Sequence, residues 1–218
     1  NLGGILKENN NLIEAKIILK ESIRINPIIP ESYVNLSLVL KDLGELMEAK
    51  ILLEKSISID DSLANSHYNL GLLLIDLDQI NDAEASTRKA ISLNSKFTEA
   101  FHNLGQILKS QSRFKEAIIS LLKAIELNPR YIPSYNNLSS IYKDLGELDK
   151  AVHYQRIALE LDPSISMSNF NLGQILVEKE EYAEARILFE KALESNSNNI
   201  NIIYLLINTL SLLSDFEK

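Results

Sequence analysis

The hexapeptide KDLGEL occupies residues 41–46 and returns unchanged at residues 143–148. The copies lie 102 positions apart, three times 34, which makes 34 a candidate period for the whole chain. Steps of 34 from Leu2 land on Leu36, Leu70, Leu104, Leu138, Leu172 and Leu206. The next row is small at Gly3, Ser37, Gly71, Gly105, Ser139 and Gly173 and breaks only at Ile207. A third row reads Ala15, Ala49, Ala83, Ala117, Ala151 and Ala185, and a fourth Ser22, Ser56, Ala90, Ala124, Ala158 and Ala192. Small residues thus recur where helices must approach closely. A period of this size marks an array, because one unit cannot bury its apolar face alone.

Within a unit the apolar spacing is helical. Ala100, Phe101, Leu104, Gly105, Ile107 and Leu108 follow an i, i+3, i+4, i+7 stripe, as do Ala117, Ile118, Leu121, Ala124, Ile125 and Leu127. Asn26, Asp60, Asn94, Asn128, Asp162 and Asn196 end the units, with Pro27, Pro129 and Pro163 stopping the second helix behind them. The pattern predicts two antiparallel helices per unit, and KDLGEL is the loop between them. Lys and Asp close the first helix, Leu43 or Leu145 packs inward, and Gly44 or Gly146 supplies a permissive turn. Leu46 or Leu148 anchors the next helix. Asp78, Ser112 and Glu180 stand at the glycine's place elsewhere, so their turns are expected to be built differently.

Composition narrows the chemistry. The 218 residues are 45% hydrophobic, enough for a sizeable core, and carry a net charge of -8, which repels a phosphate backbone. No nucleic acid partner is expected. The absence of cysteine excludes disulfides, thiolate metal sites and cysteine nucleophiles and fits a reducing, cytoplasmic setting. No run of about 18 apolar residues appears, so no membrane partner is expected. His67, His102 and His153 fall in different units, and no glycine-rich phosphate loop occurs, so neither a catalytic group nor a cofactor or metal is predicted.

The rows resemble the tetratricopeptide repeat (TPR), whose signature is best matched by Phe101-x2-Leu104-Gly105-x2-Leu108, Ala117-x3-Leu121-x2-Ala124 and Pro129. Tyr33, His67, Phe101, Tyr135, Asn169 and Ile203 fill the first aromatic place, and Asn169 and Ile203 suggest looser or altered packing in the last units. The resemblance implies an all-α, right-handed solenoid whose first helices line a concave groove. It sets one array over residues 1–218: a truncated repeat 1–29, full repeats 30–63, 64–97, 98–131, 132–165 and 166–199, and a partial repeat 200–218. A pentatricopeptide array, which binds RNA, is disfavoured by the acidic charge.

On each first helix one face is unexplained by packing. It carries the row Asn35, Asn69, Asn103, Asn137 and Asn171, whose amides both donate and accept, as recognition of an extended peptide backbone requires. This row is similar to the asparagine ladder in the TPR arm of peptide O-GlcNAc transferases. Beside it run Val34, Tyr68, His102, Asn136, Phe170 and Tyr204, and Leu38, Leu72, Gln106, Ser140, Gln174 and Asn208, variable rows suited to side-chain selectivity. Tyr68, His102 and Phe170 are the candidate anchors, with packing between first helices as the competing role. Lys7, Lys41, Lys109 and Lys143 read as a solvated rim. A carboxylate clamp of the kind that holds acidic chaperone tails in TPR proteins is disfavoured, because Glu99 with Asn103, and Pro133 with Asn137, stand where its cations belong.

The expected function is a non-enzymatic scaffold that binds an extended peptide or partner protein in the groove. The alternative is the substrate-recruiting arm of a larger enzyme resembling an O-GlcNAc transferase. The apolar run from Ile200 to Leu213 asks for a partner helix, which predicts end-to-end self-association and a segment cut from a longer protein.

Overall fold

The computed structural model describes residues 11–163, 166–195 and 198–216, which form twelve helices and no strand. The rows at Leu2, Gly3, Lys7 and Asn196 begin or end outside the described residues. Second helices of each pair are α1 (Leu12–Ile25), α3 (Leu46–Ile59), α5 (Ile80–Leu93), α7 (Phe114–Leu127), α9 (Leu148–Leu161) and α11 (Tyr182–Ser195). First helices are α2 (Pro30–Asp42), α4 (Ala64–Asp76), α6 (Thr98–Ser110), α8 (Ile132–Asp144), α10 (Ser166–Glu178) and α12 (Ile200–Phe216). The chain forms two compact units, residues 1–120 and 121–218, divided inside α7. In the first, α1 to α6 pack each on the next, and α2 also touches α4 and α4 touches α6. In the second, α8 to α12 pack in chain order. The result is the all-α architecture of antiparallel helix pairs that the period predicts.

Most members of the repeated rows are buried, with Ser22, Leu70 and Leu206 only partly so. Ala15, Ala49, Ala83, Ala117, Ala151 and Ala185 are fully covered, and Leu36, Leu104, Leu138 and Leu172 nearly so. A methyl at these alanines is all that the close approach of paired helices admits. The glycine row is tighter still: a Cβ on Gly71 would stand 2.5 Å from Oγ1 of Thr87, and one on Gly173 2.6 Å from Cε1 of Phe189. Where serine replaces glycine, its hydroxyl is consumed locally. Ser37 Oγ donates to the Val34 carbonyl at 2.6 Å and Ser139 Oγ to that of Ala151 at 2.8 Å.

The interhelix turn is one structure throughout, which corrects the expectation for Asp78, Ser112 and Glu180. Gly44 N–H donates to the Lys41 carbonyl at 2.9 Å and Glu45 N–H to that of Leu40 at 2.8 Å. The same pair of bonds closes helices at Asp78–Gln79, Ser112–Arg113, Gly146–Glu147 and Glu180–Glu181. This crossed pair requires a left-handed residue after the helix. Gly44 and Gly146 adopt it at φ 80° and 74°, and Asp78, Ser112 and Glu180 are forced to 58°, 60° and 64°. Leu43 joins the core of the first unit as expected, whereas Leu145 is 43% exposed, a second correction. Gly44 and Gly146 have open space around a would-be Cβ, so their value is backbone freedom alone. Glu180→Gly is therefore expected to raise stability by about 1 kcal/mol, the left-handed cost less the extra unfolded-chain entropy of glycine; urea unfolding followed by circular dichroism measures it.

Between units the chain turns on Asx residues. Asp60 Oδ1 accepts the N–H of Ser62 at 2.8 Å, Asn94 that of Lys96 at 3.0 Å, and Asn128 that of Arg130 at 3.1 Å. The first aromatic place bonds back into this loop. Tyr33 Oη donates to the Pro27 carbonyl and Tyr135 Oη to that of Pro129, both at 2.9 Å, and His67 Nε2 lies 3.1 Å from the Asp61 carbonyl. Asn169, expected to loosen its unit, keeps the same bond to the Pro163 carbonyl at 3.3 Å and is buried. Ile203 has no polar end to offer and is 37% exposed.

The charged rim is more specific than solvation demands. Lys41 reaches Asp76, and Lys143 reaches Glu178, each at 3.0 Å, so neighbouring first helices are tied at their C-terminal ends. Just before α7, Arg113 bridges Glu84 of α5 at 2.7 Å and Glu116 of α7 at 2.6 Å, while Arg88 holds Glu84 at 2.9 Å. Burial pushes the Glu84 carboxyl up, but Arg113, Arg88 and Gln111 outweigh it and hold the group below its ordinary range. Such half-exposed pairs contribute little energy each and fix register instead.

Candidate functional site

The five asparagines of the first-helix row differ in what their amides do. Asn69 Nδ2 donates to the carbonyl of Asn65, one turn back on α4, at 2.8 Å. Asn103 is 3% exposed and its Nδ2 has no hydrogen-bond partner. Asn35, Asn137 and Asn171 are half-buried on α2, α8 and α10. Asn35, Asn69 and Asn103 belong to the first unit, Asn137 and Asn171 to the second.

Each candidate anchor touches the chain itself. The ring of half-buried Tyr68 lies 4.8 Å from that of Phe97, and the Phe170 ring 6.1 Å from that of Phe189. His102 is buried at 8% exposure, and that burial lowers its pKa from 6.5 to about 4, because the imidazolium loses its hydration. Gln106 is exposed at the edge of an apolar notch of about 460 Å3 formed with Ile75, Ile80, Ile107 and Ser110.

Asn136, Asn171 and Gln174 come together in the second unit. They line a half-open cleft of about 300 Å3 between α8 and α10, with Ser139, Ser140, Lys143, Gln155 and Ile175 completing it. Seven of its eight lining residues are polar, which is unusual for a seam between packed helices. Asn136 Oδ1 accepts from Gln155 Nε2 at 2.8 Å and from Ser168 Oγ at 3.2 Å. Gln155 comes from α9, the helix behind, and is fully buried; its Oε1 has no hydrogen-bond partner.

Gln155 was not among the residues picked out by reading the first-helix face, yet a signal for it exists. Its 34-residue row is Leu19, Leu53, Thr87, Leu121, Gln155 and Phe189, apolar at four places and polar at two. Both exceptions carry a buried side-chain atom without a partner, Oγ1 of Thr87 and Oε1 of Gln155. The histidines do not converge: His67 Nε2 pairs with Asp61 Oδ1 at 3.0 Å, and His153 packs edge-on to Tyr154 at 5.2 Å. Among the described residues no group of His, Cys, Asp and Glu could hold a metal, and no helix is long and apolar enough to cross a membrane.

Family models, each described as a tetratricopeptide repeat, match residues 30–62, 64–97 and 98–131, then 120–153, then 137–200. The chain is a tetratricopeptide-repeat protein. Among solved structures it is similar to PilF of Pseudomonas aeruginosa, at 24% identity and TM-score 0.78, covering 87% of this chain and 86% of that one. MamA of Desulfovibrio magneticus RS-1 shares 23% identity at TM-score 0.69, over 78% of this chain and 97% of its own. YrrB, described as a TPR protein with an unusual peptide-binding site, shares 22% at TM-score 0.65, over 85% and 96%. At these identities the likeness is one of fold. Among curated proteins none matches the TPR chain in sequence.

Proposed function

We propose that this TPR scaffold binds an extended polypeptide across its first-helix faces, with the cleft between α8 and α10 as the principal contact. The cleft carries the reading: amides and hydroxyls crowd a seam that packing alone would fill with hydrocarbon, as the leucine rows do elsewhere. Asn171 and Gln174, half-buried at its rim, can pair with the N–H and C=O of a passing backbone. Asn69 spends its donor on its own helix and Asn103 is buried, so the first unit offers less to a backbone. The substrate arm of a glycosyltransferase-like enzyme, which rests on five equivalent asparagines, draws correspondingly less support.

The test uses extended peptides selected from a phage-displayed library against the whole chain. Combined Asn171→Ala and Gln174→Ala is expected to weaken a selected peptide about tenfold or more, two hydrogen bonds' worth, while Asn69→Ala changes little. Equal affinity of all three proteins would remove the reading. The exposed apolar face of α12, with Ile200, Tyr204 and Ile207 at 79%, 64% and 60% exposure, supports end-to-end self-association. Sedimentation of the same preparations reports it.

A further inference from the structure

Gln155 sits where four of the five other repeats put leucine or phenylalanine and one puts Thr87; it lines the cleft with one end of its amide paired and the other buried without a partner. Burying an acceptor unpaired costs free energy, and a leucine there would avoid the cost. Resting on the extended-polypeptide reading above, we propose that this cleft takes an Asn or Gln side chain of the bound chain, whose carboxamide pairs head-to-tail with the amide of Gln155.

The chemistry selects that guest. Gln155 presents a donor, Nε2, and an unused acceptor, Oε1, side by side. A carboxamide answers both at once, its oxygen accepting from Nε2 and its N–H donating to Oε1. A carboxylate has no hydrogen for Oε1, and a hydrocarbon leaves both ends unpaired. An ammonium can donate to Oε1 but has no lone pair to accept from Nε2. The free protein already shows a carboxamide oxygen seated on Nε2, that of Asn136 at 2.8 Å, but only one of the two bonds forms. Asn136 is half-buried and turns about a terminal torsion with a broad well, so it can yield its place at the cost of the long 3.2 Å bond it accepts from Ser168 Oγ. The cleft opens to solvent, and its eight lining residues frame room for a side-chain head. Because Gln155 approaches from behind the first helices, a backbone passing over α8 and α10 reaches it only through a side chain.

Four alanine–glycine decapeptides that differ only in a central Gln, Asn, Glu or Leu, and so carry no other side chain that both donates and accepts, test the proposal by fluorescence polarisation. The Gln or Asn peptide is expected to bind about tenfold tighter than the Glu and Leu peptides. Gln155→Leu should erase that preference and keep the residual, sequence-blind binding; Asn136→Ala, which removes the internal competitor, should strengthen the preferred peptide. Leucine occupies this row at positions 19, 53 and 121, so the variant folds, and an unchanged or raised thermal midpoint verifies it. Equal affinities for all four peptides, or a preference that survives Gln155→Leu, overturns the carboxamide pocket but leaves backbone capture standing. If no peptide binds, backbone capture fails, and the pocket is judged alone by titrating the whole chain with acetamide and with acetate. Shifts of the Gln155 side-chain NH2 resonances with acetamide only support it. Silence to both means an ordered water serves Oε1 and overturns it.

Discussion

Phe189→Ala is expected to lower the unfolding free energy by roughly 3–5 kcal/mol, the range for deleting a fully buried aromatic ring. The ring is completely covered, and Gly173 leaves it room: a Cβ there would stand 2.6 Å from Cε1, 2.9 Å from Cδ1 and 3.0 Å from Cζ. Helix α10 therefore approaches α11 to the distance that a bare Cα allows, and alanine at 189 leaves a void that α10 cannot close further. In an array, stability is the sum of repeat and neighbour contributions, so the loss appears first in the last helix pairs. Hydrogen exchange of α10 to α12 should rise before that of α2 to α6, and urea unfolding gives the total. Gly173→Ala is expected to cost about 1–3 kcal/mol from overpacking, and the pair Gly173→Ala with Phe189→Leu to recover part of it. Purely additive losses in that cycle would show that the two residues do not share one space.

The second large effect is on acid stability, through His102. Burial holds its folded pKa near 4, while the unfolded chain titrates near 6.5. Between those values the unfolded state binds more protons, so stability falls as pH drops from 6.5 to 4 and is independent of His102 outside that window. The contribution reaches roughly 3 kcal/mol at the acid end, from the difference between 6.5 and about 4 at about 1.36 kcal/mol per tenfold change in proton affinity. Carboxylates lose their ion pairs over an overlapping range, so the measurement is the difference between the protein and His102→Gln at each pH. That difference should change steadily between pH 6.5 and 4. A flat difference would mean that His102 is solvated in the folded chain.

Much of the architecture was legible because the period acts on every row at once. Alanines at 15, 49, 83, 117, 151 and 185 declare a close approach, and all six are fully buried. Helix ends were legible for the same reason: Asp42 and Asp144 end α2 and α8 as KDLGEL predicts. The turns at Asp78, Ser112 and Glu180 were misjudged because residue preference suggested a different loop, while the repeated helix geometry imposes the left-handed backbone whatever residue stands there. Leu145 was misjudged because a hydrophobic residue in a turn can face either way.

The candidate site was legible only as a surface. Sequence placed Asn136, Asn171 and Gln174 on first-helix faces, and side-chain reach decided the rest: Asn69 turning to its own carbonyl, Asn103 covered, Asn136 drawn onto Gln155. The chain by itself determined that helices pair every 34 residues, since burying periodic leucines and alanines has one economical solution. Only the tertiary structure decided which amides are spent and which remain, because a hydrogen bond depends on ångström distances between residues far apart in sequence, and no period records them.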